Sequence, residues 1–576
     1  MEQRWGPPVL AWPSRLRPNR WDLVALPLVM GLLALLVWGG MAMSARYNVG
    51  EPLTIRLDPS ALPDYALRSV LRMGVALVAS LVFSLAYAAL AAKSRAAEKI
   101  LIPILDILQS VPILGFLSIT VTGFIALFPG RLLGVECAAI FAIFTSQAWN
   151  MTFSLYQSLR TVPAELIEAA RMYHLSPWQR FWRLEVPHAV PALVWNMMMS
   201  VSGGWFFVVA SEAITVSGRS ILLPGIGSYI ATAIDRRNLP AIFYAVLVML
   251  VVIFLYDQLL FRPLLAWSRK FQADPPAEAE NVRPWFLVAL QRARFVDAAG
   301  GGLLLLNHLV DRAFARPARR RGPRAWSFGP AFERAFDIVL VIATLAAAAW
   351  IVIFVHRTVS LHEIGWVFVL GLFTSIRVFV LIGAAAVIWV PMGVWIGLRP
   401  RLADKMQPIV QFLAAFPANL FFPVAVVLIL HFRLNPEIWL SPLMILGTQW
   451  YILFNVIAGT SALPAELQLA ARNLGVRRLL WWRRIMLPAI FPAFVTGAVT
   501  AAGGSWNASI VAEVVQWGQT TLTATGLGAY IAQATAAGGG ARIALGIGVL
   551  SLYVLTFNRL LWRPLYNLAA ERLRLD

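Results

Sequence analysis

The chain has 576 residues, of which 59% are apolar and only 13% are charged. Soluble globular proteins carry roughly one-quarter charged residues, so this composition excludes a water-soluble domain of this size. Lys and Arg outnumber Asp and Glu by 48 to 28, which gives a formal charge of +20. These basic residues stand in short segments between apolar runs, a pattern typical of membrane topology that disfavours nucleic-acid binding. The single cysteine, Cys137, excludes an internal disulfide framework and any multi-cysteine metal cluster.

Twelve apolar runs are long enough to cross a hydrocarbon core of roughly 30 Å at about 1.5 Å per helical residue. The runs lack the alternation of a barrel strand, so each is predicted to be a helix. The predicted fold is all-α, a polytopic membrane protein with six spans in each of two sets. The spans are 22–43, 69–92, 101–127, 134–157, 190–212 and 240–261, then 335–355, 368–397, 408–431, 438–459, 489–512 and 542–562.

The first run follows Arg15, Arg17 and Arg20 and superficially resembles a signal peptide. Its apolar stretch is too long for a signal peptide, so we interpret it as a retained first span. Basic residues follow the second, fourth and sixth spans of both sets, which predicts that both termini are cytoplasmic. Because the two sets share one topology, the repeat is predicted to be parallel and not inverted.

Three regions are predicted along the chain. The first half covers 1–266 with its core at 69–264, and the second covers 333–576 with its core at 368–565. Between them, 267–332 is rich in Arg and is broken by Pro and Gly. Its apolar stretches, 285–290 and 303–309, are too short to span, so the linker is predicted to carry one or two interfacial helices on anionic headgroups. Composition alone fits a solvated, disordered tether equally well.

An internal repeat is the most informative feature of the sequence. Pro163-Ala164-Glu165-Leu166 recurs as Pro464-Ala465-Glu466-Leu467, an offset of 301 that continues without a gap to Arg262-Pro263 and Arg563-Pro564. Upstream the offset is 305. This regularity over more than a hundred positions indicates a tandem duplication.

The segment after the fourth span of each half is unlike the other loops. Residues 163–175 place Leu166, Ala169, Ala170 and Tyr173 on one helical face. Ser176, with Gln179 three residues later, predicts a capped new helix after a turn. In the second copy Gly475 stands at the turn, where a left-handed backbone costs little.

These segments resemble the cytoplasmic EAA loop of the permeases of type I bacterial ABC importers. The match is Glu165 to Ala170 with Val186-Pro187, and Glu466 to Ala471 with Gly475 and Leu487-Pro488. The closer likeness is to the nitrate, sulfonate, taurine and bicarbonate branch, since Ser211-Glu212 and Ala512-Glu513 match that branch after the fifth span. In the first copy His174 replaces the turn glycine, which predicts a distorted turn or weaker coupling there.

The resemblance implies a type I permease fold that forms a translocation path in the bacterial inner membrane and has no catalytic chemistry of its own. Each loop would be a coupling helix seated in a groove of a cytoplasmic ABC ATPase subunit, two copies in all, with a periplasmic solute-binding protein as a further partner. The chain lacks G-x-x-x-x-G-K-[ST], so ATP and Mg would be used by a separate polypeptide and no cofactor is expected on this chain. The alternative, ordinary helices lying on the membrane, is disfavoured by their Ala-Ala faces. The predicted ATPase-coupling residues are Glu165, Ala169, Ala170, His174, Glu466, Ala470, Ala471 and Gly475.

Polar residues inside the spans are the candidates for the path. Small polar residues beside glycines also serve close helix packing, so a purely structural role stays open. For Glu212 and Glu513, a structural cap or a partner contact competes with a role toward the solute. The predicted path residues are Asn196, Ser200, Ser202, Trp205, Glu212, Ser505, Trp506, Asn507, Ser509 and Glu513.

Two other function classes remain for comparison. A twelve-span secondary transporter would also show duplicated halves, but it would not need two cytoplasmic amphipathic hairpins. A membrane enzyme would need clustered ionisable residues, which the spans do not display. The six His residues are scattered without metal-ligand spacing, so no metal site is predicted.

Overall fold

The structure is a computed structural model, and it describes residues 22–43, 46, 54–110, 113–216, 219–271, 284–293 and 330–572. Nearly all of these residues are helical, which confirms the all-α prediction. In the first half the helices are Asp22–Met43, Leu62–Lys93, Arg95–Ser110, Ile113–Leu127, Leu133–Arg160, Ala164–Met172, Pro177–Arg180, Val186–Glu212, Ile226–Asp235, Leu239–Tyr256 and Arg262–Ser268, and Trp285–Arg292 follows. In the second half they are Pro330–Thr358, Leu361–Gly397, Pro400–Ala415, Phe422–His431, Pro436–Trp439, Gln449–Ser461, Ala465–Asn473, Arg478–Trp481, Leu487–Ala512, Leu527–Ala537, Gly540–Phe557 and Arg563–Arg572.

Seven helical segments in the described residues are long and apolar enough to cross a membrane, and the number rises to nine if each of two bent pairs counts as one span. The prediction of twelve exceeds this number. Helices also occupy the other three predicted spans, 101–127, 134–157 and 335–355, but the first of these is divided between Arg95–Ser110 and Ile113–Leu127.

Proline explains the sharper of the two bends. Pro400–Ala415 and Ala418–His431 meet at 73°, and Pro417 stands at the break. Proline disfavours helical backbone at the residue before it, and Phe416 accordingly is extended, with φ −73° and ψ 127°. The second bent pair, Pro436–Met444 and Gln449–Ser461, meets at 44°.

Two β-hairpins interrupt the helical pattern, and the sequence analysis did not predict them. Ala213–Val216 pairs antiparallel with Arg219–Leu222, and Val514–Trp517 pairs with Thr520–Thr523. Each follows the fifth span of its half. Strands of four residues carry too few positions for a period-two pattern to stand out beside a long helix.

The described residues divide into two compact units that do not coincide with the sequence halves. One unit contains 22–43, 157–195 and the described part of 255–326, including the short helix at the first predicted interfacial stretch of the linker. The second stretch, 303–309, lies outside the described residues. The other unit contains the described parts of 44–156, 196–254 and 327–576.

In the larger unit, glycines let three long helices of the second half pack closely. A Cβ atom at Gly497 would lie 2.7 Å from the carbonyl oxygen of Tyr451, and one at Gly393 would lie 2.7 Å from a methyl carbon of Val456. Helices in lipid associate through such close packing, because apolar burial supplies little drive there. This packing fixes the helix Leu487–Ala512, which carries several candidate site residues.

Candidate functional site

The first EAA segment is an exposed helix followed by a left-handed turn. Helix Ala164–Met172 ends at Tyr173, and His174 has φ +51°. The N–H of Leu175 donates to the carbonyl of Ala170 over 3.0 Å, which closes the helix end. The predicted capping box is confirmed, since Gln179 N–H donates to Ser176 Oγ (3.2 Å) and Ser176 N–H donates to Gln179 Oε1 (3.0 Å).

The second EAA segment repeats this geometry in the other unit. Helix Ala465–Asn473 is followed by Gly475 with φ +65°, and the N–H of Val476 donates to the carbonyl of Ala471 over 3.0 Å. The expectation that His174 distorts the first turn is therefore wrong at the level of the backbone. Histidine adopts the conformation that glycine adopts in the other copy.

The exposed surface of these helices differs from the sequence expectation. Glu165 and Glu466 are exposed, as a docking role requires. Ala170 and Ala471 are buried, at 5% and 3% exposure, so they pack inside the chain and are not available as a docking face. Ala169 is half-buried and Ala470 is exposed. The large apolar side chains that face outward beside the turns are Met172, Tyr173 and Leu474, and Leu469 is exposed in the middle of the second helix.

A buried ionic cluster ties the end of the fifth span of the first half to the elements around it. Arg72 binds Glu136 with two nitrogens (2.6 and 2.7 Å) and Glu212 with a third (2.7 Å). Ser69 Oγ donates to Glu212 (2.6 Å), and so does the backbone N–H of Gly227 (2.7 Å). All three charged side chains are at most 1% exposed. We call Ser69, Arg72, Glu136 and Glu212 the first carboxylate node.

The second half contains the corresponding cluster. Thr374 Oγ1 donates to Glu513 (2.8 Å), Arg377 binds Glu513 (3.2 Å) and Glu437 (2.5 Å), and the N–H of Ala529 donates to Glu513 (3.0 Å). We call Thr374, Arg377, Glu437 and Glu513 the second carboxylate node. Glu212 and Glu513 thus hold the hairpin and the following short helix in place instead of facing a cavity.

Glycine at the start of the short helix makes room for each carboxylate. A Cβ atom at Gly225 or at Gly526 would collide with the carboxylate of Glu212 or of Glu513. The side chains of the short helices add matching ties, since Tyr229 Oη donates to the carbonyl of Leu57 (3.1 Å) and Tyr530 Oη donates to Glu363 (2.9 Å). Burial, together with the Glu363 carboxylate, raises the pKa of Tyr530 well above its ordinary value, so the hydroxyl keeps its proton.

A cavity of about 350 Å³ lies in the larger unit and is lined from both halves of the sequence. Asp106 is the charged residue of the lining, and no Lys or Arg is among the described residues there. Neutral hydrogen-bonding groups are common. The polar lining residues are Gln109, Thr145, Ser146, Asn150, Ser202, Thr448, Thr500, Asn507 and Asn558, and the aromatic ones are Trp149, Phe206, Phe207, Phe416, Tyr451, Trp506, Phe557 and Trp562.

Three of the predicted path residues, Ser202, Trp506 and Asn507, line this cavity. Asn507 Oδ1 also accepts the N–H of Ile113 (2.9 Å), which joins the two halves at the cavity wall. Part of the predicted path therefore lies at this cavity.

The other path candidates lie away from the lining. Asn196 Nδ2 donates to Ser154 Oγ (2.9 Å), and Ser509 Oγ donates to the carbonyl of Trp506 (2.8 Å). Ser505 is buried, and its Oγ lies 3.0 Å from Oγ1 of the lining residue Thr448. Ser200 and Trp205 are buried, and Glu212 and Glu513 belong to the carboxylate nodes.

Sequence reasoning missed six residues of the two nodes: Ser69, Arg72, Glu136, Thr374, Arg377 and Glu437. The signal was available, because charged residues inside apolar spans are functional candidates. Arg72 and Arg377 also recur at the offset of 305, and Glu136 and Glu437 at the offset of 301.

Comparison with known proteins gives a consistent result. The sequence profile of a family described as "Binding-protein-dependent transport system inner membrane component" matches twice, at residues 75–261 and 389–562. The chain is 31% identical over 134 residues to a bicarbonate transport system permease protein of Synechococcus elongatus, covering 23% of this chain and 47% of the relative. It is 29% identical over 176 residues to a nitrate import permease protein of Leptolyngbya laminosa, covering 31% and 60%. It is 25% identical over 248 residues to a taurine transport system permease protein of Escherichia coli, covering 40% and 87%. The chain thus spans about half the length of the bicarbonate relative and three-fifths of the nitrate relative.

Proposed function

The chain belongs to the family of binding-protein-dependent transport system inner membrane components, and on this premise we propose that it forms the translocation path of an ATP-driven importer for a small anion. The candidate solutes are nitrate, bicarbonate, taurine or another sulfonate, by analogy with the relatives. The relatives give no support to the alternative of a secondary transporter. The two EAA segments carry the proposal, since both present an exposed helix, an exposed glutamate and a left-handed turn at matched positions.

The partner in this proposal is a cytoplasmic ABC ATPase, present in two copies, one for each EAA segment. ATP and Mg are then used by that subunit and not by this chain. The exposed apolar side chains support protein contact: Tyr173 and Leu474, each 79% exposed, occupy matched positions directly before the turn. A large apolar side chain in the centre of an interface, beside an exposed carboxylate, is suited to filling a pocket on a partner.

The chemistry of the cavity bears on the solute. An anion held by Lys or Arg in a dry site would bind tightly and leave slowly, whereas conduction requires binding that is weak enough for release. Hydroxyl and amide groups, such as those of Ser202, Thr448 and Asn507, donate hydrogen bonds to an anion without a full counter-charge. We therefore assign the recognition of the solute mainly to a periplasmic binding protein and the passage to this chain.

The location follows from the same proposal. The chain is a multi-pass protein of the bacterial inner membrane, and the basic residues after even-numbered spans support cytoplasmic termini. In this orientation the EAA segments face the ATPase. The linker at 267–332 would also lie in the cytoplasm and contact anionic lipid.

Reconstitution tests the proposal. The chain is incorporated into liposomes with the ATPase that co-purifies with it, and uptake of labelled nitrate, bicarbonate and taurine is measured with and without ATP. Uptake is expected to require both ATP and the ATPase. Glu466→Lys should reduce uptake while ATP hydrolysis continues, and Glu165→Lys should act in the same direction. Glu466→Asp keeps the negative charge and is the matched control, so it should retain uptake. ATP-independent uptake by the chain alone would overturn the proposal.

A further inference from the structure

The two carboxylate nodes share one plan but differ in their access to solvent. In the first node the side chains of Arg72 and Glu136 are 0% and 1% exposed. In the second node the side chains of Arg377 and Glu437 are 14% and 44% exposed. Separating a buried pair leaves uncompensated charges in a medium of low dielectric constant, whereas water can solvate an exposed carboxylate once its bonds break. Opening the second node therefore costs less than opening the first.

One substitution between the repeats explains why the second node has an additional partner. Glu437 accepts hydrogen bonds from Thr525, both from its N–H (2.9 Å) and from its Oγ1 (2.7 Å). Arg377 also donates to the carbonyl of Thr525 (2.7 Å). The residue at the matched position of the first half, 301 earlier, is Pro224. Proline has neither a backbone N–H nor a hydroxyl, so Pro224 cannot donate to Glu136 as Thr525 donates to Glu437. Within the part of the chain that the structure describes, the side-chain hydrogen bonds of Glu136 are those from Arg72.

Glu136 and Glu437 also lie in different kinds of helical segment. Glu136 lies in the continuous helix Leu133–Arg160. Glu437 lies in the short helix Pro436–Trp439, at the start of the bent pair that turns by 44° before Gln449–Ser461. Met444, Gly447 and Thr448, which line the cavity, lie between Glu437 and that second helix. The bonds of Glu437 thus hold one end of a cavity wall that is not braced by a continuous helix.

We propose that Arg377, Glu437 and Thr525 form a latch that positions this wall and releases it during transport, whereas the first carboxylate node is a fixed brace. The latch joins three elements: the long helix Leu361–Gly397, the bent segment, and the loop before the short helix Leu527–Ala537. When its bonds break, residues 436–448 move and the cavity becomes accessible. The inference rests on the proposed function, because the accessible cavity is the one through which the solute passes.

Thiol labelling tests the latch directly. In a background that carries Cys137→Ser, Met444→Cys places a reporter on the cavity wall, and Ile143→Cys places one at the matched position of the first half. The purified full-length chain in nanodiscs, without nucleotide or partner, is reacted with a fluorescent maleimide. Glu437→Gln weakens the charge-assisted hydrogen bonds from Arg377 and Thr525, so labelling at position 444 should become roughly tenfold faster or more. Thr525→Val removes only the hydroxyl and should give a smaller acceleration.

The matched variant in the first node is Glu136→Gln with the reporter at position 143. We expect it to lower the melting temperature without accelerating the labelling of the folded chain, because Glu136 lies in the continuous helix Leu133–Arg160. An unchanged labelling rate at position 444 in both Glu437→Gln and Thr525→Val would overturn the latch. So would an acceleration at position 143 in Glu136→Gln equal to that at position 444. An equal acceleration at position 143 in a Glu437→Gln chain that carries Ile143→Cys would also overturn it, since both positions would then report global unfolding.

The latch and the proposed function can fail separately. Labelling requires neither ATP nor the ATPase, so the absence of ATP-driven uptake would leave the labelling result intact. Conversely, a chain that imports solute with ATP but shows no effect of Glu437→Gln on labelling has the proposed function without the latch.

Discussion

His174 and Gly475 occupy matched turns of the two EAA segments and have the same left-handed backbone conformation, with φ of +51° and +65°. An L-residue in this conformation costs roughly 1–2 kcal/mol, a penalty that glycine avoids. Both residues are exposed, so side-chain packing does not offset the cost at position 174. The closing hydrogen bonds from Leu175 to Ala170 and from Val476 to Ala471 hold each turn in place.

His174→Gly should therefore stabilise the first segment. Glycine relieves the left-handed strain but loses more chain entropy on folding, so the expected net gain is about 0.5–1 kcal/mol. A higher melting temperature of the purified chain would report it. Gly475→Ala is the reciprocal change and should lower the melting temperature by a similar amount. A lower melting temperature for His174→Gly would mean that the imidazole makes a stabilising contact.

The two arginines of the carboxylate nodes should differ in their contribution to stability. Arg72→Met leaves Glu136 and Glu212 buried without their counter-charge, and breaking a buried pair costs about 3–5 kcal/mol. Arg377→Met should cost less, because Glu437 is 44% exposed and keeps its bonds to Thr525. The yield of folded protein and the melting temperature measure the difference. Equal losses in the two variants would contradict the assigned difference in burial.

The long-range organisation could be predicted because it depends on repetition and hydropathy. The duplication, the spans and the capping box of Ser176 with Gln179 all follow from local patterns, and the helix positions agree with most of the predicted spans. The break at Pro417 was visible in the sequence, but an apolar run across it reads as one span. Hydropathy does not register a change of helix direction.

The carboxylate nodes depend on contacts that no local pattern encodes. Glu212 meets Arg72 across 140 positions, and Glu513 meets Thr374 across 139. The burial of Ala170 and Ala471 has a related cause: the sequence places Ala170 on one helical face with Leu166, Ala169 and Tyr173, but only tertiary packing decides which of these side chains turn inward. Gly225 and Gly526 recur at the offset of 301, but the reason for glycine there, the nearby carboxylates of Glu212 and Glu513, becomes visible only in the folded chain.

Gly225→Ala and Gly526→Ala should both be destabilising. A Cβ atom at either position would collide with the carboxylate of Glu212 or Glu513, which is held on several sides and cannot move away. Overpacking of this kind typically costs about 1–3 kcal/mol. Gly540→Ala is the matched control, since a methyl group at that position would have no atom within 4 Å and its helix should accept alanine. The melting temperatures of the three variants distinguish the two causes. A local collision lowers the melting temperature only in Gly225→Ala and Gly526→Ala, whereas a general effect of losing a glycine would lower it in all three.

Asn507→Asp should slow anion import more than it affects folding. Asn507 lines the cavity and accepts the N–H of Ile113 through Oδ1, a bond that an aspartate keeps. The change loses only the donation from Nδ2 to the carbonyl of Gly503, at 3.2 Å. A new negative charge about 6 Å from a passing anion costs roughly 2–3 kcal/mol at an effective dielectric constant of about 20, so uptake in proteoliposomes should fall at least tenfold. Asn507→Ser, which removes the amide without adding charge, should retain most of the uptake. Asn196→Asp places the same charge outside the cavity lining and should have a smaller effect. If Asn196→Asp slowed import as strongly as Asn507→Asp, the effect of the new charge would not depend on its lying in the cavity. The assignment of the cavity as the path of the anion would then be wrong.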